Sequence, residues 1–432
     1  MMILQFTKRP VISHFFSTLL GPIYICLFLA LTTQLPGYPL SPQPSPLALI
    51  MPPSPSAASA FNPPLPPKSS SPSFHFNFSG LSLAWCSLNH SSSENFQFGI
   101  RSLPEILLNK SLSSSWQLDL DLSLDAQGSF RTTAKTESSS SARARLYRCW
   151  LRLSQHRFEA RLGLQKINFG SAVLFRPLMW FDQLDPRDPL QLTRGVYGLL
   201  FRYYFPDNTN SWLWVLYGND DLKGWEILPP ATKSFEYGGR LQFPLPKGEG
   251  GVSFHHRRVK PFPSALIAGS PPLSPVPENR LGFDGRWDVG VGLWIEASLS
   301  HQANDWLLYR WKKSFSLGSD YTFDLGHGLY IVGEYFEFQA SRDFFSREDS
   351  QRFLGMMMSY PLTLQDSLKV IFFYDLEKND AYNFLYWQKS LQDWSFFLMI
   401  FWNPTDFSVF RKESDSLTLA GKGFQVMGVF YF

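Results

Sequence analysis

The sequence predicts an all-β protein, a transmembrane antiparallel β-barrel of about eighteen strands, with sixteen as the alternative count. Three observations carry this prediction. The chain ends on an alternating segment in which Phe424, Val426, Phe430 and Phe432 share one parity and therefore one face of a strand. Segments of about ten residues with a period of two recur after residue 73. The connections between them mostly alternate between short and long, as the periplasmic turns and outer loops of outer-membrane barrels do.

The composition agrees with a barrel and argues against other classes of protein. Of the 432 residues, 16% are aromatic and 17% are charged, and the net charge of +3 is too small to indicate nucleic-acid binding. The mean hydropathy of -0.13 excludes a bundle of long apolar helices. A barrel wall has such a middling value because lipid-facing and lumen-facing residues alternate along each strand.

The N-terminal region is predicted to lie outside the barrel. Lys8 and Arg9 precede an apolar stretch that is short for a membrane anchor, so residues 1–35 are interpreted as a signal peptide. Residues 36–73 are rich in Pro and Ser and are predicted to be a disordered spacer. The barrel then occupies residues 74–432. Within it, Cys86 and Cys149 either pair in an oxidising periplasm or serve as small apolar side chains.

The strands are predicted from the alternation of apolar and polar residues. The clearest lies at 116–127, where Leu118 and Leu120 alternate with Asp119 and Asp121. An even number of strands places both chain termini in the periplasm. In order, the predicted strands are 74–86, 95–104, 116–127, 142–153, 157–168, 194–205, 211–218, 235–245, 249–258, 279–288, 291–301, 306–324, 328–340, 350–361, 366–376, 380–390, 393–403 and 423–432.

Later strands repeat the same alternation. At 157–168, Phe158 and Leu162 oppose Glu159 and Arg161. At 279–288 and 291–301 the apolar parity again faces a parity of charged and small polar residues. The segment 306–324 is longer and is predicted to carry Leu307 on its apolar face. The polar faces suit a wet lumen.

One outer connection, residues 169–194, differs from the others in composition. It contains Phe175, Trp180 and Phe181 together with other large apolar side chains, and such an apolar area needs other groups to bury it. As the third outer loop, it is predicted to fold into the barrel, where it either narrows the channel or braces the wall. The charged residues predicted to line the constriction are Arg176, Asp182, Asp185, Arg187 and Asp188.

The polar strand faces are predicted to give the lumen its charge. Interspersed guanidinium and carboxylate groups produce a transverse field that passes small polar or ionic solutes, and the same groups can form salt bridges between strands. We expect Arg161 and Arg202 to hold the loop if they face its acidic residues. The predicted lumen charges are Arg161, Arg202, Arg240, Arg286, Arg310, Asp119, Asp121, Glu159, Asp284 and Glu296.

Aromatic residues near the predicted strand ends indicate girdles at the two membrane interfaces. These residues are Trp116, Trp150, Trp212, Trp214, Trp287, Trp306, Trp394, Trp402, Tyr382 and Tyr386. The densest His cluster, His255–Arg258, is predicted to be a solvated strand end or a basic patch for lipopolysaccharide phosphates. Because neighbours in a strand point to opposite faces, its two histidines cannot bind one metal together. No catalytic residue, metal site or cofactor is predicted.

The segment from Arg161 to Gly170, followed by Phe181-Asp182, Asp185–Pro189 and Gly195, resembles the alginate-export-type outer-membrane porins. The match covers about 160–205 and is architectural elsewhere. The resemblance implies a monomeric barrel of eighteen strands that conducts a solute, such as an anionic sugar polymer, through a charged pore. Channels of this family for acidic polysaccharide have a strongly basic lumen, whereas acids counter the basic residues here, which argues against alginate itself.

Together these features predict a porin in the bacterial outer membrane, for diffusion or export of small polar or charged solutes, sugars among them, and not an enzyme. Two alternatives stay open: an outer-membrane enzyme of the lipid-hydrolase type, and a non-conducting barrel that serves as an anchor or adhesin. The predicted partners are outer-membrane lipids, lipopolysaccharide, the barrel-assembly machinery and a small polar or anionic solute, without nucleic acid. Phe430 and Phe432 are predicted to form the assembly signal.

Overall fold

A computed structural model describes residues 74–91, 94–133, 136–262, 265, 267, 274–405 and 419–432. The predicted signal peptide and spacer lie outside the described residues. The described strands form a single antiparallel sheet of eighteen strands that closes on itself, which confirms the predicted fold class. No helix in the described part of the chain is long and apolar enough to cross a membrane.

Each strand pairs with its neighbour in the sequence, and the first strand also pairs with the last. The strands are β1 (Phe74–His90), β2 (Glu94–Ser111), β3 (Gln117–Thr133), β4 (Thr136–Gln155), β5 (Phe158–Gln165), β6 (Val196–Tyr204), β7 (Asn210–Tyr217), β8 (Phe235–Leu245), β9 (Gly248–Val259), β10 (Val276–Asp288), β11 (Gly292–Gln302), β12 (Trp311–Phe323), β13 (Leu329–Ser341), β14 (Asp349–Pro361), β15 (Asp366–Asp375), β16 (Asp380–Ser390), β17 (Trp394–Trp402) and β18 (Lys422–Tyr431).

The closing seam joins β1 to β18. Its register runs from Leu81 opposite Tyr431 to His90 opposite Lys422. The Gly80 amide donates a hydrogen bond of 2.8 Å to the Phe432 carbonyl, and the Gly80 carbonyl accepts one of 3.1 Å from the Phe432 amide. The Phe432 ring lies 5.7 Å from the Phe78 ring, measured between centroids. The C-terminal residue is therefore part of the seam, and its role as an assembly signal stays a prediction.

The predicted strands all exist, but β1 to β4 are longer than predicted, and β5, β6 and the strand predicted at 306–324 are shorter. β1 to β4 contain 17, 18, 17 and 20 residues, whereas β5, β6 and β7 contain 8, 9 and 8. The strand predicted at 306–324 begins only at Trp311. Leu307 was expected on its outer face, which is wrong, because this side chain is buried against Leu228 and Val276 in a small apolar cluster at the outer rim.

The outer face of the barrel is apolar. On β7, for example, Leu213, Val215 and Tyr217 point outward and are 60%, 44% and 49% exposed, while the residues between them are buried. Exposed aromatic pairs lie at both ends of the wall. Tyr217 and Phe235 flank an outer loop with ring centroids 4.9 Å apart, and Tyr321 lies 4.7 Å from Phe323 beside a periplasmic turn. Such rings favour the boundary between headgroups and hydrocarbon.

The predicted girdle is therefore wrong in part of its membership. Trp306 and Trp394 are exposed, as a girdle requires. Trp212, Trp214, Tyr382 and Tyr386 instead have the inward parity of their strands and are buried inside the barrel. Proximity to a strand end does not distinguish the lipid-facing side of the wall from the lumen-facing side, whereas parity within each strand does.

Cys86 and Cys149 are both free thiols. Cys86 lies on β1 and Cys149 on β4, with β2 and β3 between them. Three strand spacings of about 4.8 Å separate the two chains by roughly 14 Å, which is more than a disulfide can span. Of the two interpretations left open by the sequence, the structure favours unpaired small side chains.

Candidate functional site

Residues 166–195, here called the inner loop, connect β5 to β6 and lie inside the barrel. Ile167 and Phe175 have no exposed area, and most side chains from Phe169 to Asp182 are also buried. A loop of this kind must find partners for its backbone amides and for its apolar side chains. Both sets of partners come from strands distant in the sequence.

Two glutamates on the opposite wall hold the backbone of the inner loop. Glu334 on β13 accepts hydrogen bonds from the amides of Val173, Leu174 and Phe175, at 2.5, 3.0 and 2.9 Å. It also accepts one of 2.9 Å from the indole of Trp294.

Glu296 on β11 acts in the same way on both sides of this segment. Its carboxylate accepts from the amides of Ala172, at 2.9 Å, and Leu178, at 2.5 Å. Gly170 approaches this carboxylate so closely that a Cβ would lie 2.5 Å from an oxygen of Glu296. Glu296 was predicted as a lumen charge, and it is buried as an anchor of the loop instead.

The segment 172–175 of the inner loop packs on the wall from β13 to β16. The Phe175 ring is stacked on Phe336 at 5.1 Å and lies 5.4 Å from Phe373, edge to face. Gly355 lacks a side chain where Phe175 approaches, and a Cβ there would lie 2.7 Å from its ring. Burying a Phe side chain stabilises a structure by about 1.5–3 kcal/mol.

Residues on both sides of this segment, Phe169 before it and Trp180 and Phe181 after it, pack on β6, β7 and β9. Phe169 lies 5.9 Å from Trp214, and Phe181 lies 5.0 Å from His255. Trp180 donates a hydrogen bond of 3.0 Å from its indole to the Ser298 hydroxyl. The loop thus joins two walls of the barrel and fills the space between them.

The predicted constriction charges fall into two groups. Arg176 and Asp182 form an ion pair of 3.3 Å and are both buried within the folded loop. Asp185 and Arg187 form an ion pair of 2.6 Å beside open space, and Asp188 accepts hydrogen bonds from the amides at positions 190 and 192. Asp185, Arg187 and Asp188 therefore border the lumen, whereas Arg176 and Asp182 do not.

The expectation that Arg161 and Arg202 hold the loop acids is wrong. Both guanidinium groups face Glu159 on the same wall, at 2.8 and 3.9 Å. Glu159 and Arg161 lie near the start of β5, and Arg202 lies near the end of β6. All three are therefore close to the periplasmic ends of these strands. The short length of β5 places them below the loop.

The other predicted lumen charges form pairs along the inner wall. Arg240 pairs with Asp284 at 2.5 Å, behind the inner loop. Arg286 pairs with Asp320 at 2.8 Å. Asp119 pairs with Arg152 at 2.7 Å, and Asp121 is buried beside it on β3.

Arg310 is an exception among the predicted lumen charges. It precedes β12 in the outer connection 303–310 and forms an ion pair of 2.7 Å with Asp305, which is largely exposed. Its assignment to the lumen wall is wrong, since the strand that was predicted to carry it starts one residue later.

A second outer loop, residues 218–234, is held at the rim by buried charges. Glu226 from this loop accepts from Arg257 at 2.7 Å and from Arg280 at 2.8 Å. Glu278 on β10 accepts from both arginines and from Lys312. The prediction of a solvated strand end at His255–Arg258 is therefore wrong for His255 and Arg257, which point inward and are buried.

The remaining lumen contains a cavity of about 800 Å³ between the inner loop and the wall formed by β1 to β4, β17 and β18. Of the described residues, seven cationic side chains and three carboxylates line it. The cations are Arg101, Arg131, Arg143, Arg145, Arg187, Arg194 and Lys223, and the acids are Asp185, Asp188 and Asp221. Burial lowers the pKa of Lys223 below its ordinary value, against the opposing effect of Asp221. Serine hydroxyls at 129, 139, 140 and 141 complete the polar side.

The sequence reasoning missed most residues of this cavity. Arg143 and Arg145 lie on the inner parity of β4, and the alternation from Ala142 to Arg145 was a signal for it. Glu334 was also missed, although it is the one acid in the alternating segment Tyr330–Phe336. Across the described ranges, no group of three or more His, Cys, Asp or Glu side chains is arranged to hold a metal ion.

No known family's sequence profile matches this chain, and no curated protein sequence matches it. Solved structures do match. OccK7 (OpdD) of Pseudomonas aeruginosa is 9% identical, with a TM-score of 0.51 and coverage of 82% of this chain and 98% of that one. OccAB4 of Acinetobacter baumannii is 8% identical, with a TM-score of 0.51 and coverage of 85% and 99%. An anion-selective porin from Comamonas acidovorans is 10% identical, with a TM-score of 0.45 and coverage of 83% and 100%.

The two likenesses with a TM-score of 0.51 concern the fold. The chain has the closed barrel of outer-membrane porins, and this agrees with the outer-membrane location predicted from the sequence. The narrower resemblance to alginate-export-type porins stays a prediction, because no family profile supports it.

Proposed function

We propose that the protein is a porin-type channel whose water-filled path passes along the lumen cavity and favours small anionic and polar solutes. The observation that carries the proposal is the charge of this cavity, where the described part of the chain places seven cationic side chains against three carboxylates. Rings of like charge select the charge of the permeating ion. An excess of guanidinium groups on the wall therefore favours anions.

The surroundings of these charges support diffusion of hydrated solutes. The wall opposite the inner loop has serine hydroxyls and the amides of Gln97 and Gln127 between its arginines. Arg143 donates a hydrogen bond of 2.7 Å to Gln127, and Arg101 and Arg145 share the carboxylate of Asp125 at 2.7 and 3.1 Å. One carboxylate for two guanidinium groups leaves this part of the wall positive.

The inner loop sets the width of the path. An empty barrel of this strand number would enclose a wide aqueous channel. The loop and its two walls fill the side from β5 to β16, so solutes are confined to the side near the closing seam. Asp185 and Arg187 lie on the loop edge that faces the path.

The experiment is a measurement of reversal potential in planar bilayers with a salt gradient, using the full-length protein. We expect open-channel currents with anion preference, and a reduced preference in an Arg131→Gln, Arg143→Gln double variant. The matched control is Arg310→Gln, Arg352→Gln, which removes two cations outside the cavity. Absence of channel currents would refute the proposal. If the two double variants had the same ion preference, the cavity would not be part of the solute path.

A further inference from the structure

Among the described residues, no strand completes the outer half of the barrel wall between β4 and β6. β4 pairs with β3 as far as Thr136, but it pairs with β5 only from Cys149 to Gln155. β5 ends at Gln165, where the chain turns into the lumen, and β6 begins at Val196 opposite it. The segment Thr136–Arg148, roughly 40 Å along the strand at about 3.3 Å per residue, continues above the end of its neighbour.

Side chains and loops define the borders of this lateral opening. Below it, Arg148 donates a hydrogen bond of 2.8 Å to the Thr193 carbonyl, which closes the wall at that level. On the side away from β4, the Tyr197 amide donates to Asn219 at 2.9 Å, and Arg194 forms an ion pair with Asp221. The opening is thus bounded by β4 on one side and by the start of the loop 218–234 on the other.

The opening leads into the lumen cavity. Arg143 and Arg145 on β4 line the cavity from one border, and Arg194, Asp221 and Lys223 line it from the other. The same space that we propose as the solute path therefore reaches the lateral surface of the barrel.

The outer surface beside the opening is apolar. Leu124 and Phe130 on β3 point outward and are 47% and 40% exposed, and Leu146 on β4 and Leu222 at the far border are also exposed. A transmembrane strand needs about 9–11 residues to cross the hydrocarbon, and β4 has 20. The opening therefore faces lipid at its lower end and headgroups above.

The lining of the cavity is divided between apolar and cationic parts. Leu83, Phe397 and Met427 form an apolar cluster on which Leu190 and Leu192 of the inner loop pack. All five side chains also line the cavity, opposite the arginines of β2 to β4. A volume of about 800 Å³ is within the range of roughly 300–1,000 Å³ found for pockets that take small organic ligands.

We infer that the cavity is a binding site for an amphiphile with one acidic headgroup and an acyl chain, which enters or leaves through the lateral opening. The acyl chain lies on the cluster around Leu192, and the headgroup meets the guanidinium groups of Arg143 and Arg194. The inference extends the proposed function, because it names a solute class for the same cavity. The chemistry is shared by a free long-chain carboxylate and by an anionic membrane lipid.

The first experiment is photo-crosslinking of the full-length protein in bilayer nanodiscs with benzoylphenylalanine at position 192. The discs consist of phosphatidylcholine with a small fraction of either palmitate or phosphatidic acid. We expect an adduct with the acidic component, and its mass identifies which of the two binds. The lipid-facing position Trp387 is the positive control and the solvated position Phe345 the negative control. An adduct with phosphatidylcholine alone, or none at position 192, would overturn the inference.

The second experiment measures binding of 16-doxyl-stearate by electron paramagnetic resonance. We expect saturable immobilisation with wild-type protein, and about tenfold or greater weakening in Leu190→Asp, Leu192→Asp, since two carboxylates then replace the apolar surface. The matched control is Leu325→Asp, Leu364→Asp, at two exposed periplasmic turns. Heat-modifiable gel mobility shows that each variant is folded. Equal binding by the two double variants would refute the site.

The outcomes separate this inference from the proposed function. Anion-selective currents without stearate binding would support the channel and refute the amphiphile site. Stearate binding without currents keeps the site and removes the channel. Chloride is the permeating ion in the current measurement, so neither result depends on the other ligand.

Discussion

Replacement of Glu334 by Leu is expected to release the inner loop from the barrel wall. The carboxylate accepts from three consecutive loop amides and from the Trp294 indole, at distances from 2.5 to 3.0 Å. Leu has a similar size and accepts none of these hydrogen bonds. Four donors would then be buried without a partner.

The magnitude follows from the number of donors. A hydrogen bond to a charged group contributes about 1.5–3 kcal/mol, and contributions of neighbours are not additive because water and small shifts satisfy some donors. We therefore expect the free energy of loop opening to fall by about 4 kcal/mol, which raises the equilibrium constant for opening by roughly three orders of magnitude.

Hydrogen–deuterium exchange followed by mass spectrometry measures this equilibrium directly. We expect the peptide that contains residues 173–175 to exchange faster by about the factor given above, while strand peptides far from the loop keep their rates. The matched control is Glu337→Leu, three positions along the same strand, because Glu337 bonds to its neighbours Tyr335 and Gln339. Unchanged exchange at 173–175 in Glu334→Leu would show that the carboxylate does not hold the loop.

Three further predictions concern the loop and the cavity. Asp185→Ala, Asp188→Ala removes two carboxylates that line the cavity, so we expect a reversal potential shifted further toward anions. Gly170→Ala places a methyl group 2.5 Å from Glu296 at a φ of +102°, and we expect a loss of about 1–3 kcal/mol of stability in urea unfolding. Because burial lowers the pKa of Lys223, its charge is lost at a lower pH than that of an ordinary lysine. Anion preference should therefore start to fall below the usual pH range of lysine titration, and Lys223→Met should abolish that step.

Matched variants make these predictions selective. Asp305→Ala removes a carboxylate outside the cavity, and a shift equal to that of the double variant would contradict the role of Asp185 and Asp188. Gly290→Ala has a similar φ of +94° but no atom within 4 Å of its added Cβ. If it costs as much stability as Gly170→Ala, crowding against Glu296 is not the reason. A pH profile that Lys223→Met leaves unchanged would assign the titration to another group.

Much of the fold was predictable from the sequence because each strand carries its own signal. Within a few residues, Asp119 and Asp121 have one parity and Leu122 has the other. The two faces of a barrel wall require this alternation of polar and apolar side chains. The same local rule failed at 306–310, where Leu307 has strand parity but packs on Leu228 of another connection and on Val276 of β10. Long-range packing decided that position, and a single segment does not contain the information.

The candidate site was predictable only in outline. The apolar content of the inner loop indicated that it must be buried, but the partners Glu296 and Glu334 lie more than 115 positions later in the chain. The ion pairs of Arg161 and Arg202 were misjudged because the length of β5 sets their height, and strand length is the least certain quantity in a reading of alternation. The strand face on which a charged side chain lies was predictable from its parity, but the residue with which it forms an ion pair was not.

The contacts of the inner loop also impose an order on assembly. Its amides are held by residues of β11 and β13. The Tyr386 hydroxyl on β16 donates a hydrogen bond of 2.8 Å to the carbonyl of Arg187. None of these strands has been synthesised when the loop leaves the ribosome. Closing such long chain segments is entropically costly and slow. Phe175 must therefore stay without its partners on β13 to β15 until the last third of the barrel has formed, whereas Phe169 and Phe181 can pack earlier on β7 and β9.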